Sequence, residues 1–373
     1  MMKLFRLGED KMIEKIKEDY KKLVGDTRRI SLSICYEGKD ITQFIQDDLL
    51  NFSQSDSLNE FDTIEMTLQD RKQLWISGWK PLKGDKIEAI AYLWNWENEG
   101  MIEINIGTFY VDNIQFSGPP DTVKIKAISI DITKDIMDSK KNRVWENVTI
   151  KRVAQDIAKE CGLELIWEAD FNRKYTRLAE KLESHFNFLK RITKEAGIDV
   201  KLYNDRLILF EEEVYEKKES VMTFKRTDLI SYSFEEDDTD TYAGCKISFW
   251  DPKIEEKMEW TFMAKKRKGY KRGTQRILFI NEEKCPPGET DSQKKAYLAK
   301  IAEKALREKN KKAIKGNISI LGKERFLTAG ETIKIEGFGD FAGKYLITDI
   351  NIDFSNYNLS LSLRKVEEEE EEK

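Results

Sequence analysis

A short β-unit is written twice in this chain, and a duplicated unit restricts the fold more than any single motif. The later copy opens at Gly330-Glu331-Thr332-Ile333-Lys334-Ile335, continues through Gly343-Lys344-Tyr345-Leu346-Ile347 and Ile350, and ends in the alternating run Leu359, Leu361, Leu363. The earlier copy answers in the same order. It reads Gly84-Asp85-Lys86-Ile87-Glu88-Ala89, then Gly107-Thr108-Phe109-Tyr110-Val111, then Ile114, then Val123, Ile125 and Ala127. A glycine before a strand permits the positive φ of a tight turn, and the acid that follows suits that turn. The span between the two glycines is longer in the first copy, and the extra length falls in a hairpin through Trp94-Asn95-Trp96-Glu97-Asn98-Glu99-Gly100. A hairpin lengthens without disturbing register.

Around these copies the hydrophobic period divides the chain. Residues 1–27 place Leu4, Leu7, Met12, Ile13, Ile16 and Tyr20 among charges, an N-terminal arm with helical spacing. Residues 28–137 alternate with period two (Ile30, Leu32, Ile34; Ile64, Met66, Leu68; Ile102, Ile104, Ile106), which predicts a first small antiparallel β-barrel. Residues 138–215 switch to a helix stripe, Ile150, Val153, Ala154, Ile157 and Cys161, with Asn147 or Thr149 as N-cap and Gly162 as stop. A strand through Leu163, Leu165 and Trp167, a second helix from Glu183 to Ala196, and a hairpin turning at Asn204-Asp205 complete an α/β insert. Residues 216–366 read as a second, related barrel. A helix over residues 291–310, capped by Asp291 or Ser292, is expected to pack on it. Residues 367–373 form an acidic tail that cannot pack a core. The fold class is therefore α+β, mainly β: two related barrels with an α/β insert between them and a helix in the second barrel region.

Charge and rare residues exclude several functions. With 64 Lys and Arg against 69 Asp and Glu, the net charge is −5, so nothing draws a nucleic-acid backbone globally. No window of eighteen apolar residues and no signal-peptide core occur, which implies a chain made and folded in the cytosol with no membrane span. Cys35, Cys161, Cys245 and Cys285 are scattered singly, so neither a zinc site nor a disulfide framework is expected. One histidine, His185, would have to serve any Ser-His-Asp triad, and it starts a helical stripe with Phe188, Leu189 and Ile192 that suits a structural or surface role. The acidic run Glu235-Glu236-Asp237-Asp238-Thr239-Asp240 lacks the spacing of an EF-hand and reads as a solvated loop. No catalytic, cofactor or metal residues are assigned.

Two stretches are candidates for partner contact. Trp75, Trp79, Trp94 and Trp96 read as core and rim rather than a ligand cage, but Trp94 and Trp96 sit on one strand face near a hairpin tip, where a partner could cover them. Lys265, Lys266, Arg267, Lys268, Tyr270 and Arg272 form a basic loop that could bind RNA or a phosphate, though the acidic whole favours docking on an acidic partner.

The run Lys181-Leu182-Glu183-Ser184-His185-Phe186-Asn187-Phe188-Leu189-Lys190-Arg191-Ile192-Thr193-Lys194-Glu195-Ala196-Gly197 closely resembles a signature of baseplate-hub proteins. These form the late control gene D family of contractile-tailed phages, with relatives in contractile bacteriocins and at the N-terminus of type VI secretion spike proteins. The C-terminal stretch from Ala329 to Ile347 and the openings Asp40-Ile41-Thr42 and Asp62-Thr63-Ile64 are similar to that family too. The chain departs from it in the penultimate strand, where relatives often carry a histidine and this sequence reads Asp349-Ile350-Asn351-Ile352-Asp353-Phe354.

The resemblance implies a structural homotrimer in the tail baseplate of a phage or phage-tail-like particle, assembled in the bacterial cytoplasm. It would join a hexameric tail tube to a trimeric spike, alongside other baseplate proteins and the tape measure protein. The repeat fits that task, because three chains with two similar barrels each present six to a six-fold ring. Two other readings compete with it: a tail-associated cell-wall hydrolase, and a carbohydrate-binding adhesin using Trp94 and Trp96.

Overall fold

The computed structural model describes residues 27–98, 100–131, 136–137, 140–194, 196–203, 206–251, 254–264, 275–282 and 290–367. The N-terminal arm, the basic loop with its six candidate residues, the turn at 204–205, Cys285 and the acidic tail beyond Glu367 lie outside them.

The first period-two stretch forms β1 (Arg29–Tyr36), β2 (Lys39–Asp40), α1 (Thr42–Ile45), β3 (Leu49–Ser57), β4 (Thr63–Gln69), β5 (Lys86–Trp94), β6 (Met101–Ser117) and β7 (Thr122–Ile128). The insert supplies β8 (Lys141–Thr149), α2 (Ile150–Glu160), β9 (Glu164–Glu168), β10 (Lys174–Glu183), α3 (His185–Lys194), β11 (Asp199–Tyr203), β12 (Arg206–Phe210) and α4 (Glu212–Glu216). The remainder is β13 (Met222–Lys225), β14 (Leu229–Glu236), β15 (Gly244–Asp251), β16 (Glu256–Met263), β17 (Ile277–Glu282), α5 (Asp291–Asn310), β18 (Ile314–Leu321), β19 (Thr332–Glu336), β20 (Gly343–Asp353) and β21 (Asn358–Lys365).

The repeat extends well beyond the residues that reveal it in the sequence. The first unit has the spatial order β3-β4-β7-β6-β5-β1, and the second has β14-β18-β21-β20-β19-β13, a match strand for strand. Register agrees as well. Val111 pairs with Ala127 and, after a bulge, Asn113 with Lys126; Ile347 pairs with Leu363 and, after the same bulge, Asp349 with Ser362. A second bulge recurs between Leu49 and Asn51 on β3 and between Leu229 and Ser231 on β14. Gly84 and Gly330 adopt φ of 90° and 91°, a region closed to most side chains, and their amides donate to the equivalent carbonyls of Val111 and Ile347. One difference remains: β1 runs antiparallel to β5, whereas β13 runs parallel to β19.

The chain is mainly β and antiparallel, as expected. Among the described residues no sheet closes on itself. The edge strand β3 pairs instead with β20 of the other unit, from Asp349↔Ser57 to Asp353↔Ser53, and joins both units in one 13-stranded, predominantly antiparallel sheet. A single core follows, running from Phe52, Leu68 and Phe109 to Tyr345, Ile352 and Leu361.

The insert builds a second core. Val153, Ala154 and Ile157 of α2 and Phe188, Leu189 and Ile192 of α3 pack with Leu207 and Leu209 of β12. Thr149 caps α2, its Oγ1 accepting from the Arg152 amide at 3.4 Å, and Gly162 follows it with φ 65°. The helix α5 is also placed differently from expectation. Its apolar face of Leu298, Ile301, Ala302 and Leu306 lies in this second core with Cys245, Ile247 and Phe249 of β15, not on the second β-unit. Its cap is Thr290, one residue earlier than expected, in a reciprocal capping box with Gln293.

Candidate assembly interface

The two units meet in a junction along β3 and β20. On its outer face Ser57 Oγ donates to Asp349 Oδ1 at 2.7 Å, and Asn351 Nδ2 donates to Ser55 Oγ at 2.7 Å. On its inner face Ile350 and Ile352 are buried opposite Asp56 and Gln54. The outer pattern continues across five strands. Ser231, Ser319, Ser360, Asn351 and Ser55 are aligned in one row, and Ser233, Asn317, Ser362, Asp349 and Ser57 in the next. This face of small polar side chains lines a cleft of about 630 Å³.

The tryptophan expectation divides. Trp94 ends β5 half-buried, with its Nε1 donating to Ser31 Oγ at 3.0 Å. Trp96 is buried, and its own chain covers it: Nε1 donates to the Gly322 carbonyl at 2.7 Å and the ring meets Tyr357 edge-on at 5.0 Å. The two therefore do not share a face, and Trp96 is buried within its own chain. The cause is Asn95, whose left-handed backbone (φ 46°) breaks the strand alternation between them. The extra hairpin length of the first copy also docks here. Glu324 Oε1 accepts from the amides of Glu97 at 3.0 Å and Asn98 at 2.7 Å.

Buried charges fasten the insert to both units. Lys201 of β11 pairs with Asp56 at 2.6 Å and Asp62 at 3.0 Å, while Asp56 also accepts from the Ala329 amide at 2.8 Å. Burial and the Asp56 charge push the Asp62 carboxyl up to about 7, with Lys201 opposing them. Burial works against the Lys201 ammonium, but the two carboxylates outweigh it and raise its pKa. A larger network joins Arg364 of β21 to Glu212, at 2.6 Å, and to Glu216. It continues through Lys311 to Glu212 at 3.1 Å and through Lys304 to Glu211 at 2.5 Å. The pairings were not legible in the sequence, because the acids and the cations that meet them come from elements far apart in the chain.

His185 is fully buried, with Nδ1 at 2.7 Å from Glu180 Oε1, a position inside the insert core that agrees with a structural role. Among the described residues no group of His, Cys, Asp and Glu is placed to hold a metal, and no helix is long and apolar enough to cross a membrane.

The doubled β-unit flanking an α/β insert is a fold known from phage tail proteins. The 43 kDa tail protein of prophage MuSo2 from Shewanella oneidensis superposes with a TM-score of 0.64 at 14% identity, covering 90% of this chain and 98% of that one. In sequence the chain is similar to the probable baseplate hub protein of Escherichia phage 186, 27% identical over 217 residues, which are 55% of this chain and 52% of that protein. It is similar to the probable baseplate hub protein of Escherichia phage P2 at 24% over 227 residues, 59% and 56% of the two chains. The chain thus spans about half the length of the curated relatives it matches. No family model matches it.

Proposed function

We propose that this chain is a structural baseplate hub of a contractile injection particle, a homotrimer that adapts a six-fold tail tube to a three-fold spike. Its two β-units carry the same strand order, register and bulges, and this single observation supports the reading most strongly. Three such chains present six near-equivalent surfaces to a hexameric ring while the rest of each chain keeps three-fold spacing. Similarity to hub proteins of two phages supports the same assignment. In the assembly the two units act as the two small barrels, each completed by its neighbour across a shared edge. The partners are the tube protein, the spike, other baseplate proteins and the tape measure protein, and the place is the tail baseplate, after assembly in the bacterial cytoplasm. The role is mechanical and uses no covalent chemistry or cofactor.

Light scattering on the purified chain, alone and mixed with the spike protein of the same particle, tests this. The expected mass is three times the 43.7 kDa of the chain for the chain alone, or that mass plus the spike's in the mixture. A monomer in both conditions rejects the trimer.

A further inference from the structure

One face of β11 carries charge across the seam between the insert and both β-units. Val200 and Leu202 point into the insert core, so Asp199, Lys201 and Tyr203, which alternate with them, leave the strand on its other face. Lys201 enters the place where all three bodies meet. It reaches the buried Asp56 and Asp62 of the first unit, and Asp56 accepts in turn from the Ala329 amide of the second. Asp56 and Asp62 also hydrogen-bond each other, and Asp199 and Glu212 of α4 do the same. An ionised carboxylate only accepts, so each of these pairs exists while one member keeps a proton. The charges around them explain why. Among the described residues Lys201 is the cation that faces Asp56 and Asp62, with the Tyr203 ring 5.9 Å from its Nζ. Asp199 and Glu212 sit with Glu211, Glu213 and Glu216 of the same segment and Glu308 of α5. Facing them are Lys304, Arg307, Lys311 and Lys312 from α5 and its end, and Arg364 from β21. In both places the carboxyls outnumber the cations, and a shared proton makes up the difference.

We propose that this face of β11 is a pH-sensitive latch: in mild acid two shared protons hold the insert against the β-units, and their loss in mild base lets β11 draw away from β3 and α4. Each proton passes to solvent, and the O–H that joined two carboxyls is replaced by the repulsion of two carboxylates. Burial and a neighbouring carboxylate push Asp62 and Asp199 alike up to about 7, so the two pairs titrate over the same interval. The closed latch binds protons that the open one releases, and opening is therefore favoured as pH rises. Two features confine the effect to the seam. Among the described residues β11 is an edge strand, paired with β12 alone, so it can shift without dividing its sheet. Apolar contact at the seam is also small, with Leu58, Phe210, Leu346 and Val366 forming a cluster of their own beside the two main cores. The latch belongs to the single chain and does not depend on its oligomeric state.

Amide hydrogen exchange of the full chain, read by mass spectrometry at mildly acidic and mildly basic pH and corrected for the intrinsic pH dependence of exchange, tests this. Segments holding Asp56 to Asp62, Asp199 to Tyr203 and Leu327 to Glu331 report the seam, and β7 reports the body of the first unit. From acid to base the seam should lose about tenfold more protection than β7. Asp62→Asn with Asp199→Asn keeps a donor in each pair at every pH, and in that variant the seam should stay closed across the range. Each single variant should remove roughly half of the response on a logarithmic scale. Equal loss in the seam and in β7 overturns the latch, because it reports general destabilisation. Unchanged seam protection in the native chain overturns it too, as does an undiminished response in the double variant. Should the double variant not fold, the native profile and the single variants decide between the same outcomes.

Discussion

Asp62 shows how one side chain registers its surroundings. Its carboxyl is pushed up to about 7 by burial and by Asp56, against an ordinary value of 3.8. The folded chain therefore keeps a proton that the unfolded chain releases, and stability falls as pH rises through the window from about 4 to 7. Asp199, pushed up to about 7 by burial and Glu212, acts in the same direction. Asp62→Asn should flatten that decline, as read from urea unfolding midpoints across the window. Trp96 makes a packing prediction. Trp96→Ala removes a buried ring and its hydrogen bond to Gly322, and should destabilise the chain by about 3–5 kcal/mol in the same assay. An exposed, partner-facing tryptophan would cost little in the free chain. Burial as core was legible, but the different faces of Trp94 and Trp96 were not, because the two keep strand spacing and only the tolerance of Asn95 for left-handed backbone hints at the reversal.

Among the elements, strands that carry the repeated glycines and alternating aliphatics were legible down to register: β5 with β19, β6 with β20 and β7 with β21. The pairs β3 with β14 and β4 with β18 were not. Their alternation is generic, and their equivalence exists only in what they stand beside. The position of α5 was misread for a related reason, since an amphipathic stripe announces that a face is buried but not against what. Its polar flank is the better clue in retrospect, because Lys304, Arg307 and Lys311 fall at helical spacing and meet the Glu211 to Glu216 segment. That network offers an element-scale test. Burial raises the Glu212 and Glu216 carboxyls, but Arg364 and its cationic neighbours outweigh it and hold both below the ordinary range. Their contribution is present above the ordinary carboxylate pKa of 4.5 and is lost as pH falls through the lowered values. Arg364→Leu leaves two buried carboxylates without their main counter-charge. The expected loss is about 3–5 kcal/mol at neutral pH and less in acid, where the carboxylates protonate.

For the whole molecule, the sequence reveals that a unit is used twice but not how its two uses touch. The edge-to-edge junction depends on serine, asparagine and aspartate side chains that look like ordinary strand surface until their partners, nearly 300 residues away, are in place. Duplication also creates a sorting problem while the protein is being made. β14 leaves the ribosome after β3 and before β20, so two strands of the same shape await one docking edge. Lys201, which lies between them in the chain, separates them: it holds Asp56 and Asp62 flanking the end of β3, and the counterpart of Asp56 on β14 is the longer, exposed Glu236. The insert therefore marks one of the two twin strands, the one made first, at the internal seam.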